Sequence, residues 1–276
     1  MTSIPNGEVS ATKLSTAFGR AGCGMKFYYR YVEGIRGVTN ASLLAGIAFD
    51  VATRKLHEDM IAGDEPTNIT ETFVEAWENP TETNRDGEPV EYDLSDAPAD
   101  IIGRGTNALD QYAEQAKRMK PIAAQVFVKT SFEETDVNLV GYIDLVEATE
   151  KGLCISDVKT SISSRKKWSV EDAQRDAQLA IYAAIYDEPV GVVGWRHARL
   201  GGNVEVGSTH IIAPPKNIIL TRLSAWISEL ERWCQTGLFP PTGLDKDAWV
   251  CSEKYCDYYH RCPYGATAQT INPVSL

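Results

Sequence analysis

Long apolar runs are missing from this chain. None approaches the roughly 20 residues a membrane-crossing helix needs. The start, Met1-Thr2-Ser3-Ile4-Pro5-Asn6-Gly7-Glu8, lacks the basic and apolar stretches of a secretory leader. The expectation is a cytoplasmic protein with no membrane partner. An excess of positive charge is missing too: 27 Lys and Arg stand against 38 Asp and Glu, a net charge of −11. Such a chain has no global field for polyanions, so any work on nucleic acid must rest on a local basic groove and bound cations. No internal repeat occurs, and no G-x4-G-K-[ST] phosphate loop, which excludes a P-loop motor. What remains is ordinary globular material: 276 residues, 43% hydrophobic and 24% charged. That composition excludes a disordered or collagen-like chain.

Periodicity divides the chain into helical ends and a strand-rich centre. Two short helical pieces are expected over 12–32, and helices over 41–61, 68–78 and 106–119. Pro80, Gly87, Pro89 and Pro98 make 79–100 a surface loop. Residues 123–133, 138–148 and 153–160 read as strands rich in Val, Ile and Phe. An alanine-rich helix over 170–186 follows, then strands at 190–199 and 205–213 and an amphipathic helix at 216–236. Helices around a central run of strands predict an α/β layer architecture.

The centre carries a possible metal site. A symmetric hairpin centred on Glu150 and Lys151 sets Asp144 opposite Asp157, with Lys159 two residues along on the same face. Opposed carboxylates lie ~5 Å apart at Cβ and repel one another. A divalent ion such as Mg²⁺ or Mn²⁺ suits that gap, since hard cations prefer oxygen ligands. It would polarise a phosphodiester and acidify its bound water, while the Lys159 ammonium stabilises the developing charge. A D-x-K tripeptide alone is equally an exposed hairpin with scattered charges. Gln178 and Tyr182 share a helix face four residues apart, and Gln174 extends that face by one turn. Arg165-Lys166-Lys167-Trp168 is the best local phosphate-binding patch, with Trp168 able to stack on a base; a solvated loop is the bland alternative. Lys26 and Arg30, a turn apart, add to such a groove.

Six cysteines are present. Cys154 and Cys234 fall in a strand and a helix and are expected to be small buried hydrophobes. Cys251, Cys256 and Cys262 crowd the C-terminal end, with x4 and x5 spacings wide for a compact zinc site. Cys23 stands alone in Gly22-Cys23-Gly24.

Taken together, the sequence resembles the PD-(D/E)xK nuclease superfamily in its RecB-like branch. Asp144 in Gly141-Tyr142-Ile143-Asp144, Asp157-Val158-Lys159 and Gln178-x3-Tyr182 resemble three of its motifs in order. Leu14-Ser15-x7-Cys23-x3-Phe27-Tyr28-Tyr29-Arg30-Tyr31 resembles its opening, and the resemblance spans about 12–265. The resemblance implies a restriction-endonuclease-like core, a central mixed β-sheet flanked by helices, in one nuclease domain over 1–276. Within it, 12–65 would be an N-terminal helical part, 120–215 the core and 240–265 a cluster-binding segment. The cysteines are similar in order to those of CRISPR-associated RecB-like exonucleases and the nuclease domain of AddB. There one cysteine before the core and three after it hold a 4Fe–4S cluster, which implies that role for Cys23, Cys251, Cys256 and Cys262. Cys23 and Cys251 are 228 positions apart, and closing so long a loop is worth ~4–5 kcal/mol on the loop-entropy account. The cluster would then join the two ends of the chain.

The resemblance implies a metal-dependent DNA exonuclease acting on single strands or duplex ends. Asp144 and Asp157 would hold the metal, Lys159 would assist the attacking water, and Gln178 and Tyr182 would position Lys159 or the DNA backbone. The implied protein partner is a helicase, recombination or CRISPR-adaptation protein. Two departures stand out. Where the family usually has G-x3-His, this chain reads Gly46-Ile47-Ala48-Phe49-Asp50, so Asp50 takes the histidine's place as a third metal ligand. His57, two turns on, is a weaker candidate, and Gln125 occurs near where many relatives carry glutamate. The alternatives are a DNA- or partner-binding module of the same fold that no longer cuts, and a structural zinc protein.

Overall fold

A computed structural model describes residues 4–19, 21–35, 39–80, 92–132, 135–242 and 250–265. In chain order these form β1 (Glu8–Ser10), α1 (Ala11–Phe18), α2 (Gly24–Phe27), β2 (Thr39–Asn40), α3 (Ala41–Ala62), α4 (Ile69–Glu78), β3 (Tyr92–Asp93) and α5 (Ile101–Ala116). There follow β4 (Pro121–Ser131), β5 (Asn138–Thr149), β6 (Gly152–Ser161), α6 (Val170–Gln174), α7 (Ala177–Ile185), β7 (Val190–Arg199), β8 (Glu205–Ile212) and α8 (Lys216–Thr236). The mixed sheet with flanking helices is the predicted restriction-endonuclease-like α/β fold. Most of the loop expected over 79–100 lies outside the described residues.

The chain divides into two compact units. The first comprises Met1–Gly37, Lys129–Gly141 and Asn217–Leu276; the second comprises Val38–Val128 and Tyr142–Lys216. In the first unit β1 runs parallel to the start of β5, pairing Glu8 with Asn138 and Ser10 with Val140. α8 buries Leu223, Ile227, Leu230 and Trp233, positions that recur every three or four residues along one face.

In the second unit β5 and β6 are antiparallel, β6 and β7 parallel, and β7 and β8 antiparallel. The parallel step needs a crossover, and α6 and α7 supply it. α3 begins at Asn40, whose Oδ1 accepts from Leu43 N–H at 3.0 Å, and ends at Gly63 with φ +72°, a left-handed stop that glycine adopts without penalty. Its buried face, with Ala45, Ala48, Phe49, Ala52 and Leu56, joins Phe73, Leu109 and Tyr112 in one apolar core.

The helix expected over 170–186 is broken. It stops at Gln174 and restarts at Ala177, because Asp176 caps the second piece, its Oδ1 accepting from Leu179 N–H at 3.0 Å. An Asp side chain competes with the helical backbone for donors and so favours a cap over an interior position. Gln174 therefore does not extend the Gln178 face; it is exposed at the end of the preceding helix.

Candidate active site

β5 and β6 pair in the expected register, from Leu145 opposite Ser156 to Thr149 opposite Gly152. One step further, Asp144 Oδ2 accepts the Val158 backbone N–H at 2.8 Å. A side-chain carboxylate thus takes a backbone donor of the neighbouring strand, which fixes Asp144 beside Asp157 and Lys159. Lys159 Nζ lies 2.6 Å from Asp157 Oδ2. It also donates to Gln178 Oε1 at 3.1 Å, and Gln178 Nε2 donates to the Tyr182 hydroxyl at 3.0 Å. Tyr182 is both a buried core aromatic, 6% exposed, and the end of this hydrogen-bonded chain. α7 positions the lysine through two residues spaced one turn apart.

Asp50 projects from α3 into the same cavity. This cleft, of about 860 Å³, is lined by Asp50, Asp144, Asp157 and Lys159 together with α3 residues from Ser42 to Arg54. Gln125 Nε2 lies 3.4 Å from both Asp50 Oδ1 and Asp144 Oδ1, so one carboxamide reaches two carboxylates. Gln125 sits in β4 at φ +50°, a left-handed conformation that costs a non-glycine residue about 1 kcal/mol or more. Strain of that kind concentrates at working sites.

The electrostatics follow from the crowding. Burial first, and then the charges of Asp157 and Asp50, push Asp144 well above the usual carboxylate range, against the pull of the Val158 N–H. Burial also raises Asp157, with Lys159 opposing it. Burial works against the Lys159 ammonium, but the Asp157 carboxylate outweighs it and the lysine pKa rises. Burial lifts Tyr182 to about 12. Three carboxylates that disfavour one another's ionisation, and only oxygen donors among them, fit a hard divalent cation.

His57 does not reach the cleft. It is buried, 1% exposed, with Nε2 2.9 Å from the Tyr112 hydroxyl. Arg165, Lys166 and Lys167 are exposed. Trp168 stacks on His197, centroids 4.5 Å apart and planes 10° from parallel, and its carbonyl accepts from Thr209 Oγ1 at 2.9 Å. One ring face expected for a base is thus taken by His197, and the tryptophan anchors the basic loop to the sheet. His197 pairs with Lys159 across β6 and β7, so that anchor sits next to the lysine strand.

Four of the first unit's cysteines come together. Cys23, Cys251, Cys256 and Cys262 line one enclosed apolar pocket with Tyr29, Tyr258 and Tyr259. Burial raises the Cys251 thiol, and the charge of Cys23 adds to it; Cys262 is raised by burial and then by Cys23 and Cys251. Tyr29 and Tyr258 stack over the pocket, centroids 5.2 Å apart. Lys26 Nζ donates to the Tyr255 carbonyl at 2.9 Å, so its placement is at the cysteine pocket. Tyr255 itself is 47% exposed and shields little.

A polar cluster on the opposite sheet face gave no sequence signal. Glu147, Cys154 and His210 bring their ligand atoms within 4.8 Å of one another. Ser156 Oγ contacts all three, at 3.3 Å, 3.6 Å and 3.2 Å respectively. Gly194 makes room for it, since a Cβ there would stand 2.4 Å from His210 Cδ2. Cys154 is buried as expected, but it is part of a polar network, not an apolar one. Arg196 forks onto Glu147, with Nε 2.9 Å from Oε2 and Nη2 2.7 Å from Oε1. That fixed cation already neutralises the only carboxylate, so the cluster is a compensated buried network with little attraction for a second positive ion.

Asp144, Asp157 and Lys159 thus cluster on adjacent strands of a mixed sheet, facing Asp50 of α3 across one cleft. The chain belongs to the PD-(D/E)XK nuclease superfamily, whose sequence model matches residues 8–263. A crystal structure of a candidate exonuclease from Eubacterium rectale shares the fold, with a TM-score of 0.51, 13% identity, and coverage of 87% of this chain and 86% of that one. A second crystal structure, of SSO0001, aligns at 13% identity over 92% of this chain and 93% of that one, with a TM-score of 0.37. No curated protein sequence matches the chain significantly.

Proposed function

We propose that the protein is a metal-dependent deoxyribonuclease of the RecB-like branch, an exonuclease acting on single strands or duplex ends. The observation that carries this reading is the convergence of Asp50, Asp144, Asp157 and Lys159 in one cleft, with Lys159 held by Gln178 and Gln178 by Tyr182. Asp144 and Asp157 would hold Mg²⁺ or Mn²⁺, and Asp50 would be a third oxygen ligand where relatives use a nitrogen. The ion supplies Lewis acidity and an acidified water. Lys159, kept protonated by Asp157, would present an ammonium to the reacting phosphodiester and stabilise the negative charge that develops there. Gln178 holds the ammonium, and Tyr182 holds Gln178. The exposed cations Arg165, Lys166 and Lys167 take backbone phosphates in a chain that is otherwise acidic.

Cys23, Cys251, Cys256 and Cys262 would hold a 4Fe–4S cluster, a structural clasp tying together residues far apart in sequence. Four thiols facing one apolar pocket suit thiolate ligation of iron.

Degradation of 5′- and 3′-end-labelled oligonucleotides, single-stranded and duplex, with Mg²⁺ or Mn²⁺ tests the activity and its direction together. Metal-dependent products shortened from an end are expected. Tight DNA binding with no product over a full metal titration would instead establish a binding module of the same fold.

A further inference from the structure

Gly46, Asp50 and Arg54 recur every four residues along α3, so they form a single line on one helix face, each about one 5.4 Å turn from the next. All three line the active-site cleft. Asp50 in the middle of this line is the proposed metal ligand; the residues on either side have no role in the reading above, and each has an unexplained feature.

Arg54 is one of two cations among the described lining residues. The other, Lys159, is committed to Asp157 and Gln178. Arg54 Nε stands 3.9 Å from Glu58 Oε1, with its side chain 33% exposed, a long contact of the kind that adds little stability. A guanidinium carries five donors in a planar fork that matches a phosphate.

Gly46 lies in the interior of a regular helix, where glycine is less favourable than alanine. Neither of the common reasons for a glycine applies. Its φ is not positive, and a Cβ built on it would meet nothing within 4 Å. The space over it is the cleft itself. A side chain there would narrow the path along α3 without disturbing the core.

We infer that this face of α3 is the track for the sugar–phosphate backbone of the bound strand, with Arg54 the positioning residue for the phosphate next to the scissile one and Gly46 the clearance that admits the chain. The inference rests on the nuclease reading and adds to it the residues that register the strand on the metal.

Arg54→Gln, Arg54→Lys and Gly46→Leu, made in the full chain, test it. Oligonucleotide affinity is measured as a function of salt with Ca²⁺ in place of Mn²⁺, and steady-state cleavage with Mn²⁺. Arg54→Gln is expected to weaken binding about tenfold and to lower the slope of log K against log salt by about one, as for loss of a single phosphate contact. KM rises more than kcat falls, and Arg54→Lys recovers most of the salt slope because the charge is kept. Gly46→Leu is expected to melt no lower than the wild type, since leucine favours the helix, yet to lose oligonucleotide binding at least as severely. An Arg54→Gln protein with wild-type affinity and salt slope, or a Gly46→Leu protein that cuts normally, overturns the inference and leaves the nuclease reading standing. A wild-type protein that neither binds nor cuts DNA removes both.

Discussion

Gln178 takes a hydrogen bond from the Lys159 ammonium at 3.1 Å through its carboxamide oxygen, and passes one on to Tyr182 at 3.0 Å through its nitrogen. The lysine therefore has two fixed partners, Asp157 on its own strand and Gln178 on α7. Removing Gln178 should loosen the ammonium without removing its charge. Gln178→Ala is expected to lower kcat about 10–100-fold, the usual penalty for losing a group that orients a catalytic one, while metal affinity stays close to normal. Tyr182→Phe should cost less, because it frees Gln178 but leaves the Lys159 contact. Single-turnover cleavage rates give the order.

Asp157→Ala and Lys159→Ala should each abolish Mn²⁺-dependent cleavage, a loss of at least about 10³-fold in kcat. Circular dichroism and the melting midpoint separate a lost site from a lost fold. Full cleavage by either variant would falsify the assigned site.

Asp50 and Gln125 share one hydrogen-bond arrangement with Asp144. Gln125→Glu places a further carboxylate against the cation and should tighten binding of Mg²⁺ and Mn²⁺. Asp50→Ala should weaken it by about 10–100-fold. Asp50→His, which supplies an imidazole, should shift preference from Mg²⁺ toward Mn²⁺, since nitrogen ligands suit the softer ion. Metal titrations of cleavage rate, or calorimetry on the DNA-free protein, read the change; an unaltered metal dependence in Asp50→Ala would exclude it as a ligand.

The cysteine pocket predicts a brown protein. Purified without oxygen, the chain should show broad visible absorption with iron and sulfide near four each per chain. Cys23→Ser should bleach it and lower stability by about 2–5 kcal/mol, the range for losing a long-range covalent tie. A colourless protein with one zinc per chain would instead assign the four thiols to zinc.

Burial, with the Arg196 charge adding to it, pushes His57 down to about 3. An unfolded histidine titrates near 6.5, so the folded state holds His57 neutral against an unfolded state that protonates it. The stability this supplies is complete above about 6.5 and is lost as pH falls toward 3, at up to about 1.4 kcal/mol per pH unit. His57→Gln should flatten urea-unfolding stability against pH across that window. Equal slopes in the two proteins would mean that folding does not lower the His57 pKa across that window.

Much of the site was legible because its signals are local. Asp157 and Lys159 are two residues apart on a strand, and Gln178 and Tyr182 are four apart on a helix; strand and helix periods put each pair on one face. The 144/157 pairing was legible from the hairpin's symmetry. Asp50 was visible only as a departure from the family pattern, and the weaker candidate His57, two turns further along α3, lies past the cleft and against Tyr112, which helical period does not reveal. The break before Ala177 followed from one capping Asp inside an alanine-rich run, a competition that periodicity does not register.

Composition and short-range pattern by themselves determined the class of fold, the order of most elements, and the spacing of the acidic pair and its lysine, while the grouping of Cys23 with the three late cysteines came from the family resemblance. Only the folded chain decided that Gln125 reaches both Asp50 and Asp144, that Trp168 stacks on His197, that Arg54 shares the cleft, and that Glu147, Arg196, Ser156 and His210 form a network behind it. Those contacts join residues 9 to 75 positions apart or bring separate strands side by side. Whether they form depends on strand pairing and on how helices pack against the sheet, which residue spacing along the chain does not encode.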